Sequence, residues 1–409
     1  MRPLIVGAGA VGRAIAIGMS GSDAFDGVVL ADVAGERAQA IVSRIDDRRF
    51  EGVALDASDQ AAIVECAQAH HCDAIVNACD PRLNPPIFSA AFDAGCTYLD
   101  MAMTLSEPHP ERPFEEPGVL LGSRQLEMTD GWRDRGLLAL VGMGVEPGMS
   151  DVFARYAADH LFSEIDEIGV RDGSNIVIDG LAFAPTFSVW TTIEECLNPP
   201  LIWERERGIF TTAPFSEPET FVFPDGIGPM QCVNVEHEEV VLIPKWVRCN
   251  RVTFKYGLGE DFIEFLKMLQ KTGLSSKEPV RVRGVDVSPR DVVAAVMPDP
   301  STLGDRMRGR TCAGIWVRGT GIDGQAREVY VYHSSENEET MRRHGVQAVA
   351  WQTSINPVVA LECIAAGEWK GAGVLGPEAF DAVPFLDRLA AHGEPWYVDD
   401  RRPSGAVVA

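Results

Sequence analysis

Residues 7–12 read Gly-Ala-Gly-Ala-Val-Gly, and their flanks constrain the fold more than the glycines themselves do. The apolar run Pro3-Leu4-Ile5-Val6 precedes them, the stretch 11–19 continues at helical period, and Val28-Val29-Leu30-Ala31 ends in Asp32. A buried strand, a tight glycine turn, a helix and a second strand closed by an acid form the first βαβ unit of a dinucleotide-binding (Rossmann) fold. Gly7 permits the turn, Gly9 leaves room for a pyrophosphate, and Gly12 lets helix and strand pack closely. At Ala10 and Val11 the helix start presents free N–H groups and a positive dipole end to phosphate. Asp32 stands where a carboxylate accepts hydrogen bonds from the adenosine ribose, which favours NAD and repels the 2′-phosphate of NADP. Arg37, one helical turn on, keeps NADP open.

The alternation of strand and helix continues. Strands are expected at 52–55, 73–78, 97–100 and 138–142, with helices at 34–45, 59–70, 85–94 and 122–135 between them. Such alternation requires a doubly wound parallel sheet with helices on both faces. Asp56 ends the third strand, either near the adenine or as a helix N-cap. Asn77, Ala78 and Cys79 end the fourth, at the carboxyl edge of the sheet where such folds bind ligand. After Pro147-Gly148 the texture changes. A helix at 150–161 precedes strand-like stretches at 165–172, 220–223, 238–243, 279–288, 312–318 and 328–332, with one clear helix at 260–272. This reads as an α+β unit on a mostly antiparallel sheet. The expected organisation is a Rossmann domain from 1–148 and 345–409, with the α+β unit, 149–344, inserted.

The chain of 409 residues carries a net charge of -24, which excludes nucleic acid as a partner. Nine scattered cysteines without a CxxC pair fit reduced thiols, not a disulfide framework or a zinc site. No apolar run is long enough to span a membrane, and the N-terminus lacks a signal-peptide pattern, so a cytoplasmic location is expected. P-loop, GxSxG, HExxH and kinase signatures are absent.

The stretch Val141-Gly142-Met143-Gly144-Val145-Glu146-Pro147-Gly148-Met149-Ser150-Asp151 resembles the saccharopine dehydrogenase superfamily, whose members include saccharopine reductase, lysine 6-dehydrogenase and homospermidine synthase. Later stretches are most similar to its carboxynorspermidine dehydrogenase branch. They include His237-Glu238-Glu239, Gly259-Glu260-Asp261-Phe262, residues 297–304 and Gly393-Glu394-Pro395-Trp396. The resemblance implies an NAD(P)-dependent oxidoreductase acting on C–N bonds. In such an enzyme an amine and an aldehyde or keto acid condense to an imine, which is reduced, or the reverse runs. It also implies a homodimer through the second domain. A lysine or diamino acid dehydrogenase is the alternative, and a nucleotide-sensing protein without catalysis is a second. The region 172–180 with 183–195 departs from the polyamine enzymes, lacking their His and Asn-Pro-Glu. An amino acid or diamino acid is therefore the expected amine donor.

Candidate catalytic residues are His237, Asp100 and Glu146. His237 titrates in the range of proton transfer, with a surface strand histidine as the plain reading. Asp100 ends a strand beside the crevice. Gly148, Met149, Ser150 and Asp151 begin a helix whose free N–H groups suit a substrate carboxylate, capping being the alternative. Trp190 and Thr191 lie in the divergent segment and are expected to line the pocket. No metal is expected, because His237 and the neighbouring acids would alternate faces on a strand.

Overall fold

The computed structural model describes residues 1–181 and 186–401. The part of the divergent segment at Phe183, Ala184 and Pro185 lies outside the described residues.

Strands β1 (Pro3–Val6), β2 (Val28–Asp32), β3 (Phe50–Ala54), β4 (Ala74–Asn77), β5 (Thr97–Asp100) and β6 (Leu138–Leu140) build one parallel sheet. Their order is 6-5-4-1-2-3, with the late strand Gly373–Leu375 added beside β6. The order reverses between β1 and β4, which opens a crevice at their carboxyl ends. Helix α1 (Ala10–Ser20) starts there. β1 and β2 are buried along their whole length, as continuous apolar strands covered on both faces must be.

A second sheet of nine strands follows the helix Met149–His160. Its long strand Phe162–Ser174 pairs antiparallel with Arg310–Gly321 and parallel with Arg251–Gly257, so the sheet is mixed. Helix Ala348–Ala365 returns to pack on α1 and is buried over nearly its whole surface. One apolar core runs through helices Met149–His160 and Ala348–Ala365, joining the two sheets. None of the described helices is long and apolar enough to cross a membrane.

Two expectations need correction. The last strand, Trp396–Arg401, pairs with Ala326–Glu336 in the second sheet, so the returning C-terminal segment serves both sheets. The stretch 238–243 is not a strand but the start of helix Glu239–Trp246. Its Val-Val-Leu-Ile run is buried on every side, and a fully apolar run carries no period with which to tell strand from helix.

Candidate active site

The site begins at the β1–α1 turn. Gly7 has φ +105°, and a Cβ there would sit 2.7 Å from the Ala78 carbonyl oxygen on β4's extension. A side chain at Gly12 would collide with the Gly7 carbonyl, so the first strand and α1 pack backbone to backbone. A Cβ at Gly9, by contrast, would meet nothing within 4 Å. That open space faces the first turn of α1, where N–H groups lack helical partners, and it fits a dinucleotide pyrophosphate. Asp32 accepts the Ala8 and Ala34 N–H groups, each at 2.9 Å, which holds a buried carboxylate at the end of β2. Arg37 lies beside it at 3.5 Å and is largely exposed. Asp56 is neither a cap nor buried. It accepts the Ser58 N–H and hydroxyl, and Asp59 caps the next helix.

From this turn a cavity of about 860 Å³ runs between the two sheets. Val11, Asn77, Ala78 and Cys79 line its dinucleotide end. Asn77 is fixed by Asn84, Tyr98 and the Cys79 N–H. Elsewhere the walls carry seven carboxylates, Asp80, Glu146, Asp172, Glu195, Glu238, Glu260 and Asp261, and no Lys, Arg or His lines it among the described residues.

Glu146 and Asp172 form the chemical centre of this wall. Burial pushes Asp172 up to about 6, offset in part by its hydrogen bond to Glu146. Burial, then Asp172, holds Glu146 well above the usual carboxylate range. Two carboxyls held this close together disfavour both being ionised, which favours one proton between them. Glu146 Oε2 is buried without a hydrogen-bond partner, an acceptor left for something in the cavity. Glu195 is raised by burial and then by Glu238.

Tyr256 also lines the cavity. Behind it lies His237, 3.5 Å from the hydroxyl through Nε2 and 2.6 Å from Glu239 through Nδ1. Its ring stacks on Phe254 with centroids 3.7 Å apart. Glu239 also accepts the Ser150 hydroxyl at 2.8 Å. Burial lowers His237 to about 4, so the ring is neutral. His237 is thus not a surface histidine and does not line the cavity; it lies behind Tyr256 and Glu238, which do. His237, Glu238 and Glu239 offer ligand atoms within 4.8 Å of one another, because they sit at a helix start and do not alternate along a strand. The short bond from Nδ1 to Glu239 occupies that arrangement.

Other candidates fall away from the cavity. Asp100 is fully buried and accepts from Tyr98, Gln125 and the Gly142 N–H, pinning β5 to the turn after β6. The N–H groups of Gly148, Met149 and Ser150 are all taken, by Asp151 at 2.6 Å and by the Gly144 and Val145 carbonyls at 3.1 Å. Those three N–H groups are therefore not available to a substrate carboxylate, and Met149, Ser150 and Asp151 are buried. The adjoining Val145, Glu146 and Pro147 line the cavity instead. Trp190 stacks between the guanidinium groups of Arg82, 4.4 Å away, and Arg290, 5.0 Å away, while Thr191 and Thr192 line the wall. The carboxylates Asp172 and Glu195 were missed by the sequence reading. Asp172 carried a signal. Ile168, Val170 and Asp172 share one face of a strand, so an acid continues a buried apolar row.

Comparison with known proteins follows the same division. Residues 4–140 match the saccharopine dehydrogenase NADP binding domain, and residues 144–394 match the saccharopine dehydrogenase C-terminal domain. The carboxynorspermidine synthase of Vibrio alginolyticus is 28% identical, over 100% of this chain and 99% of its own. The carboxyaminopropylagmatine dehydrogenase of Synechocystis sp. is 30% identical over 96% of each chain. The L-Glu-forming saccharopine dehydrogenase of Saccharomyces cerevisiae superposes with a TM-score of 0.70 at 14% identity, covering 98% of this chain and 100% of that one.

Proposed function

Since the chain belongs to the saccharopine dehydrogenase family and is an NAD(P)-dependent oxidoreductase acting on C–N bonds, we propose that it joins a cationic aliphatic amine to an aldehyde by reducing their imine. The observation that carries this reading is a cavity walled by seven carboxylates with no Lys, Arg or His among its described lining residues. Such a wall attracts a di- or polyamine and repels an amine that brings its own carboxylate to the same place. This displaces the amino acid donor expected from the divergent segment. The Synechocystis relative's name describes a carboxyaminopropyl unit on an amine, which for this chain points to a four-carbon amino-acid semialdehyde as the carbonyl partner.

The amine arrives as an ammonium and pairs with the acidic wall. The Glu146–Asp172 pair takes a proton from it, freeing the nitrogen lone pair to attack the aldehyde carbon. The same pair returns a proton to the carbinolamine oxygen, which leaves as water. A dinucleotide held at the β1–α1 turn would supply hydride to the imine carbon, and the wall would protonate the product nitrogen. One proton is taken up from solvent per turnover. Tyr256, whose hydroxyl lies 3.5 Å from neutral His237 and which lines the cavity, is the neutral oxygen that accepts from the ammonium. Buried Asp32 favours NADH over NADPH, and Arg37 is the residue that opposes this preference.

The test is NADH oxidation with the semialdehyde and, in turn, 1,3-diaminopropane, agmatine and lysine. Diamine or agmatine should exceed lysine in kcat/KM by at least tenfold. Lysine as the best substrate would refute the cationic-amine reading.

A further inference from the structure

Helix Ala348–Ala365 gives Val349, Gln352 and Thr353 to the cavity wall. The helix lies against α1, where the Ser354 hydroxyl donates to the Val11 carbonyl at 3.1 Å. Gln352 therefore stands at the dinucleotide end, which Val11 also lines.

The Gln352 amide can point only one way. Its Nε2 lies 3.3 Å from the His333 carbonyl oxygen and 2.8 Å from His333 Nδ1. A carbonyl only accepts, so the amide nitrogen must face it. Nδ1 then accepts from the same NH2 group, and the ring proton sits on Nε2. His333 Nε2 donates to Glu394 at 3.2 Å, and the other Glu394 oxygen accepts from Trp351 Nε1 at 2.8 Å. Gln352, His333 and Glu394 are all buried. They come from the helix, from strand Ala326–Glu336 and from the turn before strand Trp396–Arg401. With Nε2 held by His333, Oε1 is left turned to the cavity, and it accepts no hydrogen bond from the described residues.

We propose that Gln352 Oε1 accepts the carboxamide N–H of the nicotinamide, and that His333 and Glu394 are positioning residues that fix the amide for it. An unpartnered amide oxygen selects an N–H donor, and the carboxamide is the donor that the nicotinamide ring carries. A neutral acceptor suits the ring in both redox states, whereas a carboxylate would hold the cationic oxidised ring more tightly than the reduced one. Anchoring the carboxamide fixes the rotation of the ring about its bond to ribose, and with it the direction in which C4 presents hydride. The inference rests on the dinucleotide reading of the β1–α1 turn and is independent of the amine that the acidic wall takes.

The chain of bonds makes a substitution outside the cavity informative. In Glu394→Gln the new amide oxygen must stay with Trp351 Nε1, which only donates, so its NH2 faces His333 Nε2. The ring proton then moves to Nδ1, and the Gln352 amide turns over to accept it, presenting NH2 to the cavity.

The experiment is calorimetric titration of the full chain, as wild type, Gln352→Met and Glu394→Gln. The ligands are NADH, ADP-ribose, which lacks the nicotinamide, and reduced 3-acetylpyridine adenine dinucleotide, in which a methyl replaces the carboxamide NH2. The wild type should bind NADH about five- to tenfold more tightly than the acetyl analogue, the span of one hydrogen bond. Both variants should lose that preference while binding ADP-ribose as the wild type does, which also reports that they are folded. If one variant does not fold, the other decides. No preference in the wild type, a preference that survives in Gln352→Met, or an equal loss of all three ligands in both variants would overturn the proposal. ADP-ribose failing to bind the wild type would overturn the dinucleotide site, and the proposal with it.

Discussion

A pair of carboxyls is useful to imine chemistry if it keeps a proton between its members and can part with it, and burial together with their closeness gives the Glu146–Asp172 pair that property. Asp172→Asn or Glu146→Gln should lower kcat by about 10²–10⁴, the usual span for a lost acid or base. NADH affinity should be unchanged, as judged by fluorescence titration. Tyr256→Phe removes an acceptor but not the proton-sharing pair. It should raise the KM for the amine about tenfold, with kcat much less affected, a loss of about 1.4 kcal/mol in binding. His237→Gln should act more weakly than Asp172→Asn, because His237 lies behind the cavity wall, against Tyr256 and Glu238, and does not line it. Steady-state kinetics of the variants side by side checks that order, and a larger loss for His237→Gln would restore it as the proton donor. Of these residues, Glu146 could be named from the sequence and Asp172 could have been, from its place in an apolar strand row. Glu195 could not, since an acid on a helix ordinarily faces water.

Elements differ in how much their position depends on the rest of the chain. The β1–α1 turn is local, since strand, turn glycines and helix start are consecutive, and its function follows from that order. Gly9→Val should therefore abolish NADH binding while leaving the melting temperature nearly unchanged, because a Cβ there meets no protein atom. Unaltered NADH affinity in that variant would move the site. The helix Met149–His160 shows the opposite case. Its N-terminus looks, in sequence, like a free anion site, but the chain immediately before it folds back so that Gly144 and Val145 accept its N–H groups. The helix Glu239–Trp246 was misread as a strand for a related reason, because its period was erased by burial on all sides.

At the scale of the whole molecule, the unusual feature is the number of carboxyls taken out of water. Burial raises Asp100 and Glu236 to about 7 and Glu239 to about 8. In the unfolded chain such groups titrate near 4, so between about pH 4 and 8 the folded state binds more protons than the unfolded. Raised values mean stability that is full at the acid end of this window and is lost as pH rises through it. The melting temperature should fall from pH 5 to pH 8 and then level, with a shallower fall in Asp100→Asn. A melting temperature that rises over this range would contradict the burial argument. By the same linkage, binding a polycationic amine at pH 7 should expel protons from the cavity wall, visible as a buffer-dependent heat in calorimetry. The sequence by itself determined the dinucleotide half of this protein, because strand, glycine turn, helix and Asp32 are neighbours along the chain and their chemistry depends on local geometry. It also carried the family. The tertiary structure alone decided the amine half. Asp80, Glu146, Asp172, Glu195, Glu238, Glu260 and Asp261 come from segments spread over 182 residues, and only folding brings them to one wall and dries part of it. Proximity and desolvation, which turn scattered acids into a proton-sharing cation site, are properties of the folded arrangement and have no signature in the order of residues.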